Sequence, residues 1–317
     1  MAEVDLRHYK PPSGFKACVR GILQALSAKW ELRGPLRPYC HGSIVVGQVI
    51  PNLVTTAWMI AIPAAAGIHY YVGPLLGTKP LHHDLLGISA VLQLVLILVL
   101  VLFVALRNPG LIQKGHGLPE GLLPEDLDAQ GWPRARSICV RNVWVRQEFC
   151  RTCMLWRPLR SKHLRDSGWC VEGFDHYCQL LGTVVGRRNY LAFIALVHFL
   201  ALFTLEALVV LGVGVLPHRR RASRGGRWLE TLLDSPDICC AFAYALLWLC
   251  FALRILHLHW FLIARNMTTN EYVKSHWGLG NDPQRGEVPG SYANQNPFDK
   301  GCTSNFFDVC VSGVAAA

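Results

Sequence analysis

The sequence predicts an all-α membrane protein: four helices that cross a bilayer, with a small cysteine-rich domain on the cytosolic side between the second and third. Three observations carry this reading. A chain of 317 residues that is 52% hydrophobic and only 16% charged is too apolar for a soluble enzyme of its length. The apolar residues gather into four runs, each long enough for the about 20 helical residues a bilayer requires. Between the second and third runs lies Cys150 to Phe193, a stretch dense in cysteine and histidine at metal-ligand spacing.

Taken in order, residues 1–43 carry seven basic and three acidic residues and lack the apolar core of a signal peptide, so they read as a cytosolic segment. Residues 44–106 hold the first two spans. The run from Ile44 to Val72 has no charge; Pro51 and Pro63 start or kink it, and Trp58, Tyr70 and Tyr71 suit an interface. Leu85 to Leu106 is cleaner still and closes a helical hairpin. Residues 107–189 combine a Gly/Pro-rich linker, running to about Val145, with the cysteine-rich domain. Residues 190–264 hold the third span, Tyr190 to Leu216, and the fourth, Ile238 to Ala264, around a loop containing HRRRASRGGR. Residues 265–317 form a cytosolic tail. No internal repeat is apparent, no ankyrin repeats precede the first span, and GVAAA is no retrieval signal.

Four spans place both termini and the cysteine-rich domain on one face. That face carries 24 Lys/Arg against 6 on the other, which makes it cytosolic, although the five arginines from Arg219 to Arg227 oppose the bias locally. Dispersed basic residues flanking apolar spans explain the net charge of +10 better than nucleic-acid binding does. Twelve cysteines used in knuckles and apolar spans speak for a reducing compartment rather than a disulfide scaffold. Glu206 and Arg254 each sit in a span, where a lone charge is expensive, and an ion pair between them is expected. His257 and His259, two residues apart on different helix faces, read as interfacial side chains rather than ligands.

The chemistry concentrates in the cysteine-rich stretch. Cys150 and Cys153 form a C-x-x-C knuckle, and His163 and Cys170 complete four soft ligands for a closed tetrahedral zinc site. Asp175-His176-Tyr177-Cys178 follows. A thiol nucleophile wants an imidazole base and the imidazole wants a carboxylate to fix its tautomer, which makes Cys178, His176 and Asp175 the candidate catalytic set.

These residues, with Arg157-Pro158, Arg160-Ser161, Gly186, Asn189, Tyr190 and Phe193, resemble the DHHC-type protein S-acyltransferases, or palmitoyltransferases. The second His is Tyr177, so the likeness is strongest to the DHYC branch of ankyrin-repeat yeast members. Asn266 to Glu271 and Asn296-Pro297-Phe298 with Gly301 and Asn305 match that family's tail elements; on their residues they read as a helix cap and a docked turn. The resemblance implies two zinc ions, yet the positions that would bind the second are Leu164, Ser167, Tyr177 and Val184. One structural zinc is therefore expected, with Tyr177, Leu164 and Val184 in an apolar cluster and the Tyr177 hydroxyl on Ser167 or a backbone carbonyl. Asn108 stands where the family has Asp before Pro-Gly, and Gln179-Leu180 replaces the Pro-Trp that follows the nucleophile.

By resemblance, Cys178 takes a long-chain acyl group from acyl-coenzyme A, the chain lies among the transmembrane helices, and the group passes to cysteines of membrane-associated proteins. His176 is the base and Asp175 its orienter. Expected partners are acyl-CoA, membrane lipid and protein substrates with cytosolic cysteines near the membrane, with no nucleic acid. The expected location is Golgi or endoplasmic reticulum. Arg157, Arg160, Lys162, Arg187 and Arg188 are candidates for the coenzyme phosphates. The competing reading is an inactive membrane adaptor that uses the zinc fold to hold partner proteins.

Overall fold

The structure is a computed structural model that describes residues 81–165, 167–215, 236–276 and 296–312, the short pieces 37–39 and 44–46, and the helical positions Thr56, Ile60 and Ala64. The remainder of residues 1–80, which holds most of the first predicted span, lies outside the described residues. So do the arginine-rich loop and the GVAAA end. The chain divides into two compact units, one of Met1–Asn52, Val104–Leu191 and Trp260–Ala317, the other of Leu53–Phe103 and Ala192–His259.

Three helices among the described residues are long and apolar enough to cross a membrane. They are α1 (Leu81–Leu106), α2 (Tyr190–Val209, continued by a π turn Val210–Val215) and α3 (Pro236–Ala264). They match the second, third and fourth predicted spans to within a turn or so. The first does not begin where expected: β2 (Ile44–Val46) pairs antiparallel with β1 (Arg37–Tyr39).

In the unit holding α2, the Glu206 carboxylate takes hydrogen bonds from the Ser89 hydroxyl at 3.1 Å and from the Gln93 amide, which also donates to Ser89 at 2.9 Å. Among the described residues no ion pair joins Glu206 to Arg254, which is exposed on α3. A carboxylate can thus be met inside a span by uncharged donors on a neighbouring helix, without a buried ion pair. His259 is buried with its ring edge-on to Phe193, centroids 5.3 Å apart, and is not the interfacial side chain expected.

The all-α prediction fails in the other unit, whose cysteine-rich segment is built from short antiparallel hairpins. These are β3 (Arg136–Val140) with β4 (Val143–Gln147), β5 (Phe149–Cys150) with β6 (Leu155–Trp156), β7 (Lys162–Leu164) with β8 (Trp169–Val171), and β9 (His176–Cys178) with β10 (Thr183–Val185). Strands of two to five residues leave no room for the alternating pattern that identifies a strand in sequence. Left-handed turn residues close them: Arg141 and Asn142, Met154, Gly168 and Gly182 all have positive φ.

The linker after α1 packs onto these hairpins. Asn108 accepts the amides of Gly110 and Leu111, both at 2.8 Å, so the amide oxygen does what a carboxylate would do there. The buried Asn189 side chain donates to the carbonyls of Val104 and Val184 and accepts from Gly186 N–H. Beside it, Pro109 and Gly186 come so close that a Cβ on Gly186 would stand 2.6 Å from the Pro109 carbonyl oxygen. Two helices complete the unit, α4 (Thr269–His276) and α5 (Cys302–Ser312).

Gly186→Ala forces backbone against backbone and is expected to destabilise this unit by about 1–3 kcal/mol, the usual range for overpacking. A thermal melt of the detergent-solubilised protein checks it; an unchanged midpoint would remove the close approach as a constraint.

Candidate functional site

The metal-ligand quartet forms because two hairpins each supply two ligands to the same point. Cys150 ends β5 and Cys153 lies in the turn that follows, where its N–H points at the Cys150 sulfur at 3.4 Å. His163 and Cys170 face one another across β7 and β8. His163 Nδ1 lies 3.4, 3.3 and 3.7 Å from the sulfurs of Cys150, Cys153 and Cys170, and all four ligand atoms fall within 4.8 Å of one another. Ideal tetrahedral zinc bonds place nitrogen and sulfur about 3.6 Å apart, so the residues fit a metal ion.

The electrostatics agree. Hydrogen bonding from Cys153 and Cys170 draws the Cys150 thiol down, whereas Cys150, Cys153 and burial push Cys170 up. Hydrogen bonds to Cys150 and Cys153 hold His163 at about 9.

The positions at which a second metal was expected to be missing are partly apolar core. Leu164 and Val184 pack with Leu111, Val171 and Phe174. Tyr177 does not join them: it is 44% exposed. Ser167 instead donates to the Leu164 carbonyl and accepts the Trp169 amide, so it is not the partner expected for the phenol.

The second site stands on β9. A strand alternates its side chains, so His176 and Cys178 share one face and Tyr177 takes the other. Asp175, immediately before β9, is 1% exposed. Its carboxylate accepts His176 Nδ1–H at 2.7 Å, leaving Nε2 for other partners. Burial works against a charged His176 ring, but its hydrogen bonds to Asp175 and Cys178 and their negative charge outweigh burial and raise the imidazole to about 9.

Sequence reasoning missed what holds Asp175. Thr269, the first residue of α4, donates both its N–H to Oδ1 and its hydroxyl to Oδ2, each at 2.8 Å. The expected helix cap is present one residue earlier: Thr268 Oγ1 accepts Glu271 N–H and Glu271 accepts Thr268 N–H, a reciprocal capping box. The signal for Thr269 was its place in a cap whose free N–H groups point at whatever lies before the helix.

Arg160 ties this cap to the cysteine-rich hairpins. Its guanidinium donates two hydrogen bonds to Glu271, at 2.9 and 2.8 Å, and two to Asn266, and it covers the Phe298 ring. With a side chain only 2% exposed, Arg160 is a structural clasp and not the candidate phosphate ligand it resembled. Arg157 and Arg187 are likewise held, by Glu148 and Glu172. Lys162 lies over Phe174 at 4.8 Å, and Arg188 is exposed.

Known proteins share this pattern. Residues 145–276 match the DHHC palmitoyltransferase family model. Over those residues the chain is similar to the DHHC palmitoyltransferases. It is 28% identical over 317 aligned residues to palmitoyltransferase ZDHHC18-A of Danio rerio, covering 95% of this chain and 65% of that protein. The human palmitoyltransferase ZDHHC18 is 28% identical over 281 residues, 85% of this chain and 68% of that one. The probable protein S-acyltransferase 2 of Arabidopsis thaliana is 27% identical over 293 residues, 87% and 65% respectively. The chain spans just under two thirds of the length of the zebrafish and Arabidopsis relatives.

A histidine raised to about 9 adds stability that is full below its ordinary value near 6.5 and is lost as pH rises through about 9. The domain should therefore lose His176-linked stability across that window. Asp175→Asn should bring the His176 midpoint down toward its ordinary value, read by NMR of labelled histidine; a midpoint that stays near 9 would show that Asp175 is not what raises it.

Proposed function

We propose that this protein is a protein S-acyltransferase that moves a long-chain fatty acyl group from acyl-CoA, through a thioester on Cys178, to cysteines of membrane-associated proteins. The observation that carries the reading is His176 hydrogen-bonded to the buried Asp175 carboxylate, with Cys178 on the same face of β9, within the stretch that matches the DHHC family model. His176 accepts the Cys178 proton, and Asp175 stabilises the imidazolium. The Cys178 sulfur attacks the acyl carbonyl, the bond to the coenzyme sulfur breaks, and that sulfur leaves with the proton held by His176. A substrate cysteine then attacks the Cys178 thioester in the same way, giving a ping-pong cycle. Thr269 acts as a positioning residue, because its two hydrogen bonds set the carboxylate that sets the imidazole.

Cys150, Cys153, His163 and Cys170 hold one structural zinc, which orders the hairpins carrying Asp175 to Cys178. The active face lies on the cytosolic side of an integral membrane protein, as the bias of basic residues supports, and the family resemblance implies the Golgi or endoplasmic reticulum. Lys162 and Arg188 are the basic residues proposed to meet the coenzyme phosphates.

Cys178→Ser should abolish hydroxylamine-sensitive labelling by acyl-CoA, since a hydroxyl is far less acidic than a thiol. Persistent label in that variant would move the nucleophile elsewhere. Thr269→Val keeps the backbone donor but loses the hydroxyl and should slow initial acylation about tenfold, in line with a lost hydrogen bond to a charged group.

Metal analysis should return about one zinc per chain, and Cys150→Ser or Cys170→Ser should release it and destabilise the domain. Tyr177→His should leave the stoichiometry at one, because Leu164, Ser167 and Val184 would still be wrong. A ratio near two in the unmodified protein would overturn this assignment of ligands.

A further inference from the structure

Helix α5 is amphipathic in the wrong sense for a helix whose outer side meets water. At 100° per residue its positions fall into two arcs. Asn305, Asp308 and Val309 form one arc; Asn305 and Val309 are buried, and Asp308 pairs with Lys300 at 2.8 Å. Cys302, Phe306, Phe307, Cys310 and Val311 lie on the other, all exposed, with Phe307 at 67% and Val311 at 85%, and the exposed Thr303 and Ser304 are the polar residues of that side. The packed side therefore carries the amide and the carboxylate, and the open side carries the aromatic rings and thiols.

The position of α5 supplies a solvent for that open side. Phe306 stacks on Trp260, ring centroids 5.9 Å apart and planes 11° apart. Trp260 belongs to the last turns of the span α3, and indole rings favour the boundary between hydrocarbon and water. Asn305 holds α5 at this level by donating to the carbonyl of Ala264, the final residue of α3, at 2.8 Å. The open arc thus continues the apolar surface of a membrane span.

We infer that α5 lies on the bilayer with this arc inward, and that Cys302 and Cys310 are acceptor sites for covalent S-acylation by long-chain fatty acyl groups. Eight residues are close to two full turns, so the helix brings both thiols to one side with Phe306 between them. A chain on either sulfur enters hydrocarbon beside rings already there. One chain alone anchors weakly and reversibly while two anchor stably, and the arc provides two thiols. In the step itself the cysteine sulfur attacks the carbonyl carbon of an acyl thioester, a new C–S bond forms and the donor's C–S bond breaks. The donor sulfur leaves and takes the proton released by the acceptor. The donor is the Cys178 adduct of another copy, acyl-CoA or the acyl-cysteine of a host transferase, and only that choice rests on the proposed function.

The test is peptide mass spectrometry on the full chain isolated from membranes of expressing cells, with and without hydroxylamine, reading the tail peptide and the Cys178 peptide separately. A hydroxylamine-labile acyl mass on Cys302, Cys310 or both is expected, and it should vanish in a Cys302→Ser, Cys310→Ser double variant. Unmodified thiols at both positions overturn the inference whatever the Cys178 peptide shows, while an acyl group on that peptide bears on the catalytic reading alone. Cys178→Ala, expressed alone or beside the unmodified chain, separates the donors: a tail adduct only on co-expression identifies Cys178 of another copy, and one in both identifies acyl-CoA or a host transferase. A Phe307→Asp, Val311→Asp variant retains both thiols but charges the arc and should lower tail acylation about tenfold; undiminished acylation would refute the placement on the bilayer.

Discussion

The site depends on one buried carboxylate. Removing a charge from water is expensive unless paired donors replace the water, and Asp175 receives three such donors, two from Thr269 and one from His176. Each requires something further to be in place. Thr269 can aim its N–H and hydroxyl only because α4 begins there, and α4 begins there because Thr268 and Glu271 cap it. Glu271 in turn receives Arg160 from the turn ahead of β7, a residue with φ of 62°. Satisfying Asp175 therefore fixes a helix that starts 94 residues later in the chain.

The same logic governs the end of α3. The last carbonyls of a helix have no partner within it, and here the tail supplies them. Asn305 donates to Ala264, and Asn296 donates to the carbonyls of Arg265 and Asn266. Asn266 donates onward to Phe298. Three asparagines thus close the helix end and hold the tail against it, which accounts for the burial of Asn266 and Asn305 better than any direct chemical part would. The hairpins have a different support. Two-stranded pieces of this length are marginal alone, so a metal-ligand quartet at one end and the Leu164, Val171, Phe174, Val184 cluster at the other supply what the strands cannot.

What the sequence made legible divides along physical lines. The three described spans were readable because burial in lipid demands one long apolar run with no ambiguity of period. The quartet and the Asp-His-x-Cys set were readable because their residue types are rare and their spacing short. The hairpins were not, since ladders of two to five residues are specified by turn geometry rather than by alternation. Tyr177 was misplaced because its position opposite Val184 in the β9–β10 ladder does not bury it: the ring is exposed beside a buried partner. For Thr269 the cap was legible but its partner was not, because the helix N-terminus meets a residue far away in sequence.

Arg160 shows why charge alone misleads. In sequence it was one of five basic residues near the nucleophile, and proximity favoured a phosphate for all of them. A guanidinium carries five donors in a fixed plane, and at Arg160 hydrogen bonds to Glu271 and Asn266 and the Phe298 face use that plane. A lysine there could neutralise Glu271 but could not also hold Asn266 in the same geometry. Arg157 and Arg187 are committed to carboxylates as well. Among the described residues, Lys162 and Arg188 are the members of the group that no carboxylate neutralises. An anion approaching this domain would therefore meet a smaller positive surface than the sequence suggests, because three of the five charges already hold the fold together.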